Sequence, residues 1–178
     1  MLKILTTQLT GLLQRISQSE EEVIEETARL LAQASVGEGN IYFACFDNLE
    51  PVEFNALHST EPFYKLVKWS KDVEITDVDR VCIFTKSCQN ADALQLAKKL
   101  NDEFIPFAVV ASEPASETNE LSELAYTYVS MKIRGGILPH PTKLGERTVI
   151  PHLIAALFVY EAIKLSYDEM IFTDDELL

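Results

Sequence analysis

The ten residues Val81–Asn90, VCIFTKSCQN, run from an apolar segment straight into short polar side chains. Thr85, Ser87 and Asn90 offer hydroxyl and amide donors, and a helical pattern follows at once. A helix start presents unpaired backbone N–H groups and the positive end of the helix dipole. That combination suits a phosphate or a carboxylate. The same residue types also suit a plain helix cap, because Ser and Asn are favoured there. The spacing leaves both roles open. A second group lies in IRGGILPHPTKLGERTVIPH, residues 133–152. Gly135 and Gly136 permit unusual turns, and Lys143 and Arg147 are positive charges in an acidic chain. Arg147 and Thr148 could close over an anion; alternatively, this is a surface loop with Thr148 capping the last helix. Cys88, at a helix start and beside Lys86, has the setting of an activated thiol, although a small packing role fits it better. Asp72, Asp77 and Asp79 lack the spacing and glycine of a calcium loop. The chain has no P-loop, GxSxG or GxGxxG motif, which removes support for NTP hydrolysis, serine esterase and Rossmann dinucleotide readings.

Hydrophobic periodicity supplies the elements that position these residues. Leu2, Leu5, Leu9, Leu12, Leu13 and Ile16 predict an amphipathic helix over 2–17. Ser19–Glu22 fits a capping box, so a second helix is expected to about Ser35, with Gly37 and Gly39 ending it. Ile41–Phe46 reads as a strand covered on both faces. Pro51 can open a helix, with Phe54 and Leu57 facing inward. Further strands are expected over Phe63–Trp69, Val81–Phe84, Ile105–Val110 and Tyr126–Ile133. Helices are expected after Asn90 and near Glu120–Leu124. Residues 134–147 read as a loop, about Thr148–Ser166 as a long helix, and 167–178 as an acidic tail. Residues 1–178 thus form one expected domain, with 1–36 as a helix pair. Alternating strands and helices predict a three-layer α/β/α sandwich around about five parallel strands, with flavodoxin-like winding. Ligands in such sheets bind beyond the carboxyl ends of the strands, which selects the loops after Phe46, Phe84 and Val110.

Composition narrows the partners. The 178 residues include 15 Lys and Arg against 28 Asp and Glu, a net charge of −13. Nucleic acid and anionic membrane surfaces are therefore poor partners, since both are held by cations. The longest apolar stretch, Leu153–Tyr160, is far shorter than the ~20 residues of a membrane span. Thr6, Thr7, Gln8 and Thr10 interrupt any signal-peptide core. Three cysteines without zinc spacing point to a reducing cytoplasm. No cofactor or metal is implied. The leading helices and the last helix carry surplus apolar surface, so a homodimer or higher homo-oligomer is expected.

The segment DRVCIFTKSCQNADALQLAKKLNDEFIPFAVVAS resembles the core of SIS (sugar isomerase) domains. Those domains carry an Asp, an apolar strand, an S-x-S-G-x-T/S loop, a helix and a further strand. The likeness extends to the leading helices, the strand-loop-helix at 40–58 and the long last helix, and so covers most of the chain. It is most similar to phosphoheptose-isomerase-like proteins, and to an uncharacterised bacterial group of that fold. The resemblance implies a phosphorylated sugar held by Thr85, Ser87 and Asn90, with Cys88 at the position of the family's loop glycine; Asn48, Arg147 and Thr148 are further candidate contacts read from their own chemistry. It also implies aldose–ketose isomerisation through an enediol, which needs a base and an acid. His152 is then the catalytic histidine, while Glu53 and Glu61 match no motif and His58 and His140 read as surface residues. Two positions depart from the pattern. Cys88 replaces the loop glycine, and Phe46-Asp47-Asn48-Leu49-Glu50 has no glycine and two carboxylates. Two functions are thus expected from different classes. One is a phosphosugar-binding protein with possible isomerase activity. The other is a non-catalytic metabolite-sensing or assembly module on the same fold.

Overall fold

The computed structural model describes residues 1–173. Five parallel strands form the sheet: β1 (Ile41–Cys45), β2 (Leu66–Val67), β3 (Arg80–Phe84), β4 (Phe107–Ala111) and β5 (Thr127–Ser130). Their order is β2-β1-β3-β4-β5, the flavodoxin-like winding, whose direction reverses between β1 and β3. The continuous apolar runs are explained by burial on both faces. Phe43, Cys45, Phe84 and Val110 face one core, shared with α1 (Leu2–Val36), α2 (Glu50–His58) and α5 (His152–Thr173). Tyr42, Ala44, Ile83 and Val109 face the other, under α3 (Ala91–Asp102) and α4 (Glu120–Leu124). Three layers result, as expected. No helix of the described residues is long and apolar enough to cross a membrane.

The largest departure from the sequence expectation is α1, which is one unbroken helix of 35 residues rather than a pair. Ser19 caps nothing; its hydroxyl donates to the Arg15 carbonyl one turn back, at 2.7 Å. The buried stripe of Leu12, Ile16, Ile24, Ala28 and Leu31 runs straight past it. Burying one such side chain is worth about 1.5–3 kcal/mol, against about 1 kcal/mol for a cap, so the stripe decides. Glu20 lies on the same buried face. Its carboxylate accepts from the Ser130 backbone N–H at 3.0 Å and pairs with the Lys132 ammonium at 2.8 Å. Thr27 and Thr127 add a buried hydroxyl contact of 2.8 Å. Both contacts fasten α1 to the edge strand β5.

Smaller corrections follow from packing. Phe54 is exposed, and α2 turns Val52 and Ala56 inward instead. The strand expected over Phe63–Trp69 shrinks to two residues, because Phe63 is used as a core side chain stacked on Tyr167 at 4.2 Å. β5 is shorter than the expected Tyr126–Ile133, and Lys132 turns at φ 56° just beyond it. The 134–147 loop contains half of a small antiparallel hairpin, β6 (Leu138–Pro139) with β7 (Arg147–Thr148). Gly136 is required there: a Cβ would lie 2.7 Å from both N and O of Thr148. α5 starts at His152, so Thr148 belongs to β7 and does not cap the helix. Residues 167–173 of the expected tail are helical; 174–178 lie outside the described residues.

Candidate functional site

The turn after β1 and the loop after β3 meet at the switch point of the sheet. The turn holds Asp47 at φ 58° and Asn48 at φ 64°, a left-handed conformation that Asp and Asn tolerate better than most residues. This geometry carries the Asp47 carboxylate onto the neighbouring loop. Its Oδ2 lies 2.8 Å from the Thr85 hydroxyl and 3.2 Å from the Lys86 backbone N–H. Its Oδ1 accepts from the Asn90 amide at 2.8 Å. A second carboxylate arrives from just beyond β4. Glu113 accepts from the Ser87 hydroxyl at 3.0 Å and from the Cys88 backbone N–H at 2.8 Å. The donors of 85–90 therefore converge on anions, and the anions are the protein's own.

Asn90 serves two partners within the chain. Its carbonyl oxygen accepts from Ala93 N–H at 2.9 Å, which caps α3, while its amide serves Asp47. Cys88 contributes a backbone N–H. Its thiol is pushed above the usual range by burial, then by the Glu113 charge, which opposes the activated-thiol reading. Burial also pushes Cys45 up to about 12 and Cys82 well upward. Asn48 is exposed, and its side chain makes no hydrogen bond among the described residues.

His152, at the start of α5, is half-buried near this cluster. Burial holds its pKa below 6.5, Lys86 adds to the lowering, and Glu113 and Asp47 oppose it. The imidazole thus stands within electrostatic reach of two carboxylates and an ammonium. A histidine whose folded pKa is depressed stabilises the fold above its unfolded pKa, and loses that contribution as pH falls through the folded value. We expect the His152 ring resonance to titrate with a midpoint below 6.5, and stability to decline as pH falls below about 6.5. An NMR titration with urea melts at stepped pH checks both; a midpoint above 6.5 contradicts the placement.

The remaining candidates lie elsewhere. Glu53 accepts from Trp69 N–H at 2.9 Å and its carboxyl is raised chiefly by burial; Glu61 and His58 are exposed. His140 is partly buried, its Nδ1 accepting from the N–H groups of Thr142 and Lys143. Arg147 and Thr148 sit in the β6–β7 hairpin, where Arg147 bonds the carbonyls of Gly136 and Ile137. Asp79 is structural: it is 4% exposed and accepts from Asn40 N–H, Thr76 N–H and the Thr76 hydroxyl. Sequence reasoning missed Glu113. Its position directly after the third long strand, in a loop the topology rule selects, was the available signal.

The fold is that of sugar isomerase (SIS) domains: the sugar isomerase domain of an RpiR transcription factor from Sphaerobacter thermophilus superposes with a TM-score of 0.61 at 12% identity, over 99% of this chain and 98% of that one. One structural relative is a Methanococcus jannaschii protein whose structure infers the function of a 3-hexulose-6-phosphate isomerase. It superposes with a TM-score of 0.66 at 10% identity, over 96% of this chain and 90% of that one. Another is the Vibrio vulnificus NanR protein complexed with ManNAc-6P, with a TM-score of 0.66 at 10% identity, over 96% of this chain and 63% of that one. The chain itself belongs to the family described as a domain of unknown function (DUF2529), which matches residues 1–171. The uncharacterized protein YwjG of Bacillus subtilis (strain 168) is 33% identical over 172 residues, covering 96% of this chain and 98% of that protein.

Proposed function

We propose that the chain is a non-catalytic sensor of a phosphorylated sugar, working in the reducing cytoplasm that its three free thiols suit. The observation that carries this reading is the Asp47 carboxylate on Thr85, Lys86 and Asn90. Donors that hold carboxylate oxygens also hold phosphate oxygens. A sugar phosphate entering the loop displaces Asp47 and releases the turn at 47–48, so binding becomes a change of conformation. An enzyme with this arrangement would lose substrate affinity to its own side chain; a sensor uses the exchange as its signal. The structural relatives support the choice of ligand class: NanR is complexed with ManNAc-6P, and the function inferred for the Methanococcus jannaschii protein is isomerisation of a hexulose phosphate.

A thermal-shift panel of sugar phosphates against their parent sugars tests the reading. The phosphorylated members should raise the melting temperature, and Ser87→Ala should reduce the rise. No shift from any phosphosugar sinks it. One observation favours an isomerase instead: Glu113 and His152 stand near one locus and could act as the acid–base pair. Turnover of the same sugar phosphates, abolished in His152→Gln, would establish that second reading and displace the first.

A further inference from the structure

Arg147 and its hairpin do not close over the loop at 85–90. They wall a separate cavity of about 770 Å³, bounded by the N-terminal half of α1 and the chain just beyond β4 and β5. Arg15, Lys132, Arg134 and Arg147 line it, four of the chain's 15 basic residues, and no Asp or Glu is among its lining residues. Lys132 is neutralised by Glu20. Arg15, Arg134 and Arg147 have no carboxylate partner among the described residues. Arg147 is nonetheless held in place: Nε donates to the Gly136 carbonyl at 2.7 Å and Nη2 to that of Ile137 at 2.8 Å. Carbonyl contacts orient the guanidinium but leave its charge uncompensated.

Three uncompensated guanidinium groups around one concavity are unexpected in a protein of charge −13. All three are exposed, so water screens much of their mutual repulsion, and an anion lying between them would remove the rest. A second observation points the same way. Ser112 lines the cavity and is 5% exposed, and among the described residues its hydroxyl has no hydrogen-bond partner. A buried hydroxyl left unpaired costs about 1–3 kcal/mol, which a ligand oxygen would recover. The volume falls within the ~300–1,000 Å³ range of metabolite pockets.

We propose that this cavity binds a small phosphorylated metabolite, its phosphate held by the forks of Arg15, Arg134 and Arg147, with a ligand oxygen on the Ser112 hydroxyl. Guanidinium forks match phosphate oxygens in pairs. The site is distinct from the loop at 85–90, none of whose residues lines it. The two are nevertheless adjacent in the chain, because Glu113 lies between Ser112 and Pro114 of the cavity wall and turns its carboxylate to the loop.

Calorimetric titration of the full chain with inorganic phosphate, pyrophosphate and glucose 6-phosphate, with glucose as the uncharged control, decides the matter. Titrations run in wild type, Ser87→Ala, Ser112→Ala, Arg15→Gln and Arg134→Gln, with both arginine changes also made in the Ser87→Ala background. Both arginines are exposed, so their loss should leave the fold intact. We expect saturable binding of at least one phosphate probe, retained in Ser87→Ala and weakened in Ser112→Ala. Each arginine variant should weaken it about tenfold or more. No saturable binding by any probe overturns the proposal. So does binding that survives both arginine changes made in the Ser87→Ala background, or binding lost in Ser87→Ala alone, which would place the anion at the loop.

Discussion

Asp47→Gly should tighten the binding of a phosphorylated sugar at the 85–90 loop by about ten- to a hundredfold. On the proposed sensor reading, a ligand in the wild-type protein must first expel a carboxylate that accepts from Thr85, Lys86 and Asn90. Hydrogen bonds to a charged group are worth about 1.5–3 kcal/mol each when buried. Here the site is half-buried, and water replaces part of what is lost. Glycine is the informative replacement because residue 47 has φ 58°. It adopts that conformation freely, so the backbone strain of a bulkier residue does not confuse the result. The ligand-free variant should in turn lose about 1–3 kcal/mol of stability, since its three donors exchange a fixed acceptor for water. Calorimetry with a sugar phosphate and urea denaturation measure the two effects. Unchanged affinity together with lower stability would mean that Asp47 is only a structural brace. The sensor reading would then lose its mechanism.

Glu20→Ala should cost about 2–4 kcal/mol in urea denaturation, the largest stability effect we expect from one polar side chain here. The carboxylate is buried on α1 and serves two groups at and beyond β5's carboxyl end, the Ser130 N–H and the Lys132 ammonium. Its removal strands a buried donor and leaves the ammonium unpaired. Lys132 remains about one-third exposed, with 32% of its side chain accessible, so its share of the penalty is softened by water. Glu20→Gln keeps an acceptor for Ser130 and should lose less. Either variant also frees a fourth cation at the wall of the arginine-lined cavity. Anion binding there should strengthen as stability falls. A change of less than about 1 kcal/mol in Glu20→Ala would show that β5 does not depend on this contact.

Local pattern in the sequence was enough to place Thr85, Ser87 and Asn90 at the carboxyl end of a strand in a parallel sheet. The strands are short and apolar because both faces are covered, and that burial is visible as unbroken runs such as Ile41–Phe46. The absence of glycine and the presence of Asp47 in the first turn were legible for the same reason, since they are facts about one segment. The acceptors for those donors were not legible. Glu113 is 26 residues from Ser87 in sequence and reaches it only because β3 and β4 are neighbours in the sheet. The unbroken α1 was hidden too. A capping box is a local preference, and it yields when burial of the stripe from Leu12 to Leu31 outweighs it. Arg15 and Arg147 lie more than a hundred positions apart, and no spacing rule joins them. The sequence determined the strand-end loop and its donors, because donor type and hydrophobic period are properties of contiguous residues. Only the tertiary structure decided which charges meet them and where the unpaired arginines gather, because electrostatic partnership follows distance in space.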